Sequence, residues 1–331
     1  MKKVKILALF ITSILLSSCV KAVNLQDRAI VQAVGVDYSN GQYAVTMQIF
    51  SPEGSGSQTL IDPTKQNAKI ITCYGESISK AIEETSVSEG KRFFLGHNRL
   101  IVLGESTDKL SLYQVLAYFT DAMDSRADVK VLKTQKAYDI LNTQINQGIL
   151  PALTIEKTIE NAFENSKITR TFLIDILKHD SLLIPKIETV ENDDELKTVS
   201  LTGTALYEKG SYLTDFDLEE TRGSLFLKDK VKSATYSVKT PDFSNISVNI
   251  YNSKTKNGRI LAKASIIEKS LQSGGEYSEK ALEIAENKIV KQISLQCKKA
   301  ISKAKVYNSD LFLGLNDLDI SVQIDRKGLS R

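Results

Sequence analysis

The stretch "AIVQAVGVDYSNGQYAVTMQIF", residues 29–50, limits the fold more than any other part of the chain. Ala29–Asp37 is predominantly apolar and reads as a strand. Asn40-Gly41 follows, the residue pair that most readily takes up the two left-handed backbone conformations of a tight hairpin turn. In the returning segment Tyr43, Val45, Met47 and Ile49 alternate with Ala44, Thr46 and Gln48, and this period of two predicts a half-buried strand. A lone hairpin is marginal in water, so this one needs further strands and a covering layer.

The segments that follow supply both. Lys69–Tyr74 reads as a strand. Ser77–Glu89 reads as a helix, with Ile78, Ala81, Ile82 and Thr85 on one face and Gly90 as its stop. A strand is expected near Arg99–Leu103, then an amphipathic helix through Leu112, Val115, Leu116 and Phe119, a strand in "ADVKVLKTQ" and a short helix over Ala137–Asn142. This alternation suggests a small α/β layer. Helices are expected over Thr154–Glu164 and Thr171–His179, then a strand, an acidic loop at Glu191–Glu195 and a strand through Leu201–Tyr207. Asp217 with Glu220 three residues on forms a capping-box-like start for a short helix that Gly223 is expected to stop. Beyond it the chain becomes strand-rich, at Ala234–Val238, Ile246–Asn252 and Arg259–Leu271, with Pro241 and Gly258 in the turns. One long helix then runs from Ser278 to about Tyr307, with Ala281, Leu282, Ile284, Ala285, Ile289, Ile293 and Ile301 on its apolar face, and Asp319–Ile324 closes with a strand. The expected fold class is α+β and multi-domain: a mixed N-terminal part, then a strand-rich C-terminal domain carrying the long helix. The expected divisions are 1–18, 19–198 (one domain or two subdomains) and 199–331.

Residues 1–18 have a different character. Lys2, Lys3 and Lys5 precede an apolar stretch of eleven residues, Ile6–Leu16. That is shorter than the roughly 20 residues a membrane-crossing helix needs, but long enough for a secretory signal core. Leu16-Ser17-Ser18-Cys19 resembles a bacterial lipobox, in which cleavage before the cysteine frees it to carry a diacylglycerol. Two acyl chains, at about 0.8 kcal/mol per buried CH₂, anchor stably where one does not. Cys19 is therefore the expected lipid-attachment site.

The chain has 43 Lys+Arg against 40 Asp+Glu, and the excess of three is the signal's own lysines. The processed chain is neutral, which argues against nucleic acid as a partner. Cys73 and Cys297 could pair outside the membrane, but two cysteines so distant in sequence form no framework, and two buried thiols are the expectation.

Catalytic chemistry finds little support. His97 and His179 are the only imidazoles, the first in a turn entering a strand, the second ending a helix where a cation suits the dipole. There is no G-x-S-x-G, no H-E-x-x-H and no C-x-x-C. Gly54-Ser55-Gly56 lacks the Gly-Lys-Ser/Thr of a phosphate cradle. Glu219 and Glu220 are neighbours, about 100° apart on a helix, so they do not converge on one substrate. Asp193, Asp194 and Glu195 read as a solvated loop or a weak divalent-cation site. No catalytic residue, metal site or cofactor is expected.

Several segments are similar to the Ger(x)C family, the C subunits of nutrient germinant receptors in spore-forming Gram-positive bacteria. The first hairpin resembles the family's opening strands, and "KRFFLGHNRLIVLGE" its strand with Gly-His and Gly-Glu ends. "LTGTALYEKGSYLTDFDLEETRGSLFL" carries the family's Gly-Thr-Ala and Glu-Glu-Thr-Arg-Gly, and "AKVYNSDLFLGLND" echoes its Asp-(Ile/Leu)-Phe-Gly. Two departures stand out. Cys19-Val20-Lys21 lacks the usual Trp-Asp pair, and the C-terminal segment lacks the usual Trp-containing stretch. The resemblance implies a non-catalytic lipoprotein on the outer face of the cytoplasmic membrane, the inner membrane of a spore. It further implies assembly with two integral-membrane germinant receptor subunits, the small-molecule germinant being bound by the complex rather than by this chain. Glu220, Thr221, Arg222 and Gly223 are the motif residues it singles out for an interface. A free-standing substrate-binding lipoprotein of a transporter, and a cell-wall hydrolase, are the competing readings. The first would show two similar α/β lobes with clustered aromatics, the second a paired-carboxylate or metal set.

Overall fold

The computed structural model describes residues 28–50, 68–122, 124–143, 151–191, 197–271, 279–315 and 317–325. Cys19 and the acidic residues 193–195 lie outside them.

A nine-stranded sheet organises the first two thirds of the chain. Its strands are β1 (Arg28–Ser39), β2 (Gln42–Phe50), β3 (Ala68–Gly75), β4 (Arg92–Phe94), β5 (Leu100–Gly104), β6 (Lys130–Thr134), β7 (Ser181–Glu191), β8 (Lys197–Glu208) and β9 (Ser211–Phe216). They lie in the order β3-β2-β1-β5-β6-β7-β8-β9, with β4 beside the start of β1. The four central strands, β1, β5, β6 and β7, run parallel; the pairs on either flank are antiparallel. The first hairpin forms as expected: Ser39 faces Gln42, and Asn40 and Gly41 take φ of 51° and 79°.

Both faces of this sheet are covered. Helices α1 (Ile78–Glu89), α2 (Leu112–Asp121) and α5 (Leu173–Lys178) pack on one side, over Val34, Val36, Ile101, Leu103 and Val131. Helices α3 (Ala137–Leu141) and α4 (Pro151–Glu164) pack on the other, over Ala33, Leu100, Val102 and Leu132. The half-buried reading of Tyr43–Phe50 is thereby corrected. Thr46 and Gln48 are 1% and 0% exposed. Gln48 survives burial because both ends of its amide are used. Its Nε2 donates to the Leu141 carbonyl (3.1 Å) and its Oε1 accepts from the Ala152 N–H (2.9 Å), which joins the end of α3 to the start of α4.

β4 and β9 had no counterpart in the sequence reading. β4 has only three residues. β9 follows a two-residue turn at Lys209-Gly210 (φ 48° and 79°), and a lysine in the left-handed region is a weak turn signal.

The second sheet has four strands, in the order β10 (Ala234–Val238), β11 (Phe243–Lys256), β12 (Arg259–Leu271), β13 (Asp319–Ile324). Helix α7 (Glu279–Val306) crosses from β12 to the parallel strand β13 and lies along one face. At 1.5 Å per residue it is about 42 Å long, enough to span the sheet. Its buried stripe includes Ala281, Ala285, Ile289, Ile293, Cys297 and Ala300. Ile289 and Ile293, packed among Val248, Ile250 and Ile260, each contribute about 1.5–3 kcal/mol relative to exposure.

Leu206 and Phe216 of the first sheet join this second core, beside Phe226 from helix α6 (Leu218–Leu227). The two sheets are thus fused through β8, β9 and α6. A division at 198/199 falls inside β8, whose partners β7 and β9 both belong to the first sheet.

Candidate functional site

The motif-bearing segment 201–227 lies at that fusion. Gly203 has φ of 142°, and a Cβ there would stand 1.9 Å from the Phe216 carbonyl, so β8 can bend against β9 only with glycine. α6 then opens with the expected capping box. The Glu220 N–H donates to Asp217 Oδ1 (2.7 Å) and the Asp217 N–H to Glu220 Oε2 (2.8 Å).

The helix does not stop at Gly223. It continues to Leu227, with Gly223 in its middle. The glycine serves close approach rather than termination: a Cβ at 223 would lie 2.2 Å from the Gln296 carbonyl oxygen of α7. Around this contact the motif residues face inward or pair along the seam. Glu220 accepts from Lys303 Nζ (2.9 Å), and Glu219 pairs with Lys299. Thr221 is fully buried and shares a hydrogen bond with Thr204 of β8 (3.0 Å). The Arg222 guanidinium lies 5.6 Å from the Tyr236 ring centroid. Tyr236 donates its hydroxyl to Gln296 Oε1 (2.7 Å). Glu220, Thr221, Arg222 and Gly223 therefore work together, joining α6 to α7 and to both sheets within the chain.

A second polar cluster lies inside the first sheet. Lys133 and Lys186 are register partners on β6 and β7. Lys133 is 0% exposed; its Nζ pairs with Asp108 and donates to the Gly104 carbonyl (3.2 Å). Tyr207 donates its hydroxyl to the same carboxylate (3.0 Å). Lys186 pairs with Asp215 and Glu105. Desolvation raises the Asp108 carboxyl and lowers the Lys133 ammonium from their ordinary values, each opposed by the other's charge. A lysine of lowered pKa is a familiar nucleophile, but substrate cannot reach a side chain so fully enclosed. The cluster braces the sheet instead. Its one local signature is the lysines inside the apolar runs "DVKVLKT" and "LLIPKIE", which do not by themselves reveal the carboxylates they face.

A third network holds α4. Glu156 accepts from Arg99 (2.7 Å) and Lys130 (2.8 Å), and Glu160 pairs with Lys130 (3.1 Å) and Arg170 (2.7 Å). Desolvation opposes ionisation of Glu156, but Lys130 and Arg99 outweigh it and hold its pKa below the ordinary value.

The histidines do not converge with any of these groups. His97 is exposed, edge-on to Phe94 at 5.9 Å, and His179 is exposed at the end of α5. Among the described residues no group of three or more His, Cys, Asp or Glu is placed to hold a metal ion. Cys73 and Cys297 are buried free thiols, as expected; burial pushes Cys297 up to about 12.

The model of the spore germination protein N-terminal domain matches residues 21–188, and that of the spore germination B3/GerAC-like C-terminal domain matches residues 202–317. The chain belongs to the GerAC-like spore germination family. The unmatched residues between the two stretches fall across the β7–β8 hairpin. Among Bacillus subtilis (strain 168) proteins, the chain is 21% identical to spore germination protein KC, over 93% of this chain and 85% of that one. It is 30% identical to spore germination protein A3 over 56% of this chain and 51% of that one. A solved structure titled as that of the GerBC protein aligns over 88% of this chain and 96% of its own, with 17% identity and a TM-score of 0.48.

Proposed function

We propose that this GerAC-like chain is a non-catalytic, lipid-anchored subunit of a membrane germinant receptor, acting at the outer face of the cytoplasmic membrane. The observation that carries the reading is the pair of family matches, in order, over both sheets. The lipobox-like Leu16-Ser17-Ser18-Cys19 supports attachment through Cys19. No helix among the described residues is long and apolar enough to cross a membrane. The buried polar side chains of the seam and of the lysine cluster engage one another, an arrangement suited to a rigid platform rather than to turnover. Its partners are two integral-membrane subunits, and the small-molecule germinant engages the assembled complex.

Deletion of the gene, in a strain without redundant paralogues, is expected to abolish the response of spores to at least one nutrient; an unchanged response to every nutrient tested overturns the proposal. Cys19→Ala is expected to move the protein from the membrane to the soluble fraction. Continued membrane attachment of that variant rules out the anchor.

A further inference from the structure

A basic groove runs along the junction of the two sheets. Its first lobe, about 310 Å³, is lined by Phe163, Arg170, Phe172, His179, Lys228 and Lys230 among others. Its second, about 480 Å³, shares Phe163, Arg170 and Lys230 and adds Lys232, Ser253 and Lys254. The processed chain is neutral overall, so this concentration of cations is local.

The charges in the groove are unequal. Arg170 is already used: it pairs with Glu160 and lies 4.3 Å and 5.1 Å from the centroids of Phe163 and Phe172. The four lysines differ. Lys228, Lys230, Lys232 and Lys254 make no side-chain ion pair or hydrogen bond among the described residues. Two acids also line it, each accepting a backbone hydrogen bond, Asp175 from the Phe172 N–H (2.9 Å) and Asp229 from the Thr255 N–H (2.9 Å), so the lysines outnumber the carboxylates. Lys228 keeps exposed surface, yet desolvation by its surroundings, and then the like charge of Lys230, lower its pKa.

Two further observations bear on the groove. Ser253, in the lining of the second lobe, is 9% exposed, and its Oγ has no hydrogen-bond partner among the described residues. The lysine-bearing loop is also fixed in place. Ser166, fully buried, accepts from the N–H groups of Lys232 (2.8 Å) and Ser233 (3.2 Å), and the Lys230 N–H donates to the Leu225 carbonyl (2.8 Å). The lysine backbones are thus held before any ligand arrives, which reduces the ordering cost of binding.

We infer that this groove binds a phosphate-bearing ligand, with Lys228 and Lys230 on its charge in the first lobe and Lys232 and Lys254 in the second. Lysine acts as a point charge toward phosphate, whereas the planar fork of the one arginine is occupied by Glu160. A soluble phosphate ester and a phospholipid headgroup offer the same chemistry. The inference does not depend on the receptor reading, since a chain with no part in germination would still bind through these residues.

The test uses the full-length chain with Cys19→Ser, which carries no acyl anchor. Glycerol 3-phosphate is titrated at fixed ionic strength while the melting temperature is followed, and vesicles of phosphatidylglycerol or phosphatidylcholine are floated with the protein. Either a saturable rise in melting temperature or flotation with phosphatidylglycerol alone is expected. The first identifies a soluble ester, the second a headgroup. Lys230→Gln with Lys232→Gln is expected to weaken that binding about tenfold or more, as loss of charge-assisted contacts requires, with unchanged circular dichroism. Lys254→Gln, in a different strand, is a second variant expected to weaken it. Absence of both signals, or binding that both variants leave intact, overturns the inference.

Discussion

The two sheets solve the problem of burial differently. In the second sheet α7 covers one face, and β10 alternates buried and exposed along Ala234–Val238 without exception. In the first, helices cover both faces, and every residue of β5 and β6 is buried, Lys130 and Lys133 included. A one-faced sheet lets water satisfy its polar residues. A two-faced sheet must satisfy them internally, and the buried side chains of its inner strands do so through other elements: Gln48 with α3 and α4, Lys133 with Asp108, Thr46 with Thr72. Polar substitutions should therefore cost much in the first sheet and little on the open face of the second.

The sharpest way to break this contrast is Lys133→Ala. It leaves Asp108 buried without its cation, and urea denaturation is expected to show a loss of about 3–5 kcal/mol. Lys133→Met with Asp108→Leu and Tyr207→Phe, which also removes the hydroxyl that would lose its acceptor, should recover much of it, since well-packed apolar replacements for a buried polar cluster are often near neutral. Next comes the junction itself. Gly223→Ala forces α6 and α7 apart at Gln296 and is expected to cost about 1–3 kcal/mol, lowering the melting temperature with little change in helix content.

Acid titration separates the sheets further. The folded pKa of Glu156 lies below its ordinary 4.5, so its contribution is present above that value and disappears as pH falls through the folded pKa. Asp108 has the opposite sign: its folded pKa is raised above 3.8, so its ionisation weakens the fold as pH climbs through that range. Glu156→Gln is expected to flatten the acid limb of stability against pH by about 1 kcal/mol, while a variant of the second sheet leaves that limb unchanged. Asp217→Ala removes the cap of α6 and should cost about 1 kcal/mol. At the small end, Thr235→Ala on the exposed face of β10 should stay within about 0.5 kcal/mol of the parent.

The same contrast decides what could be read in advance. The second-sheet strands match the sequence expectation within a few residues, whereas the alternation of Tyr43–Ile49 in the first sheet locates a strand but not the burial of its second face. Helices whose ends carry their own chemistry match as well: Ser77 caps α1 by accepting from the Lys80 N–H, and Gly90 ends it with φ of 65°. Pairing across the middle of the first sheet has no local signature, because β6 meets β7 through the single register pair Lys133 and Lys186, 53 positions apart. Gly223 illustrates the limit for the candidate site. Its place in the motif was visible, but its role depends on Gln296, far along the chain, so a local reading took it for a helix stop. The basic groove was half visible: "KDKVK" at 228–232 presents lysines at every second position, but Arg170 and Lys254 join it only in the folded chain.

The meeting of α6 and α7 has a mechanical consequence. Where side chains interdigitate, one helix can slip past another by changing rotamers. At Gly223 the contact is backbone against backbone, and Thr221 on the same turn is bonded to β8. There is no soft layer to absorb a displacement. A displacement of the long helix is therefore coupled directly to β8, one strand in from the edge of the other sheet.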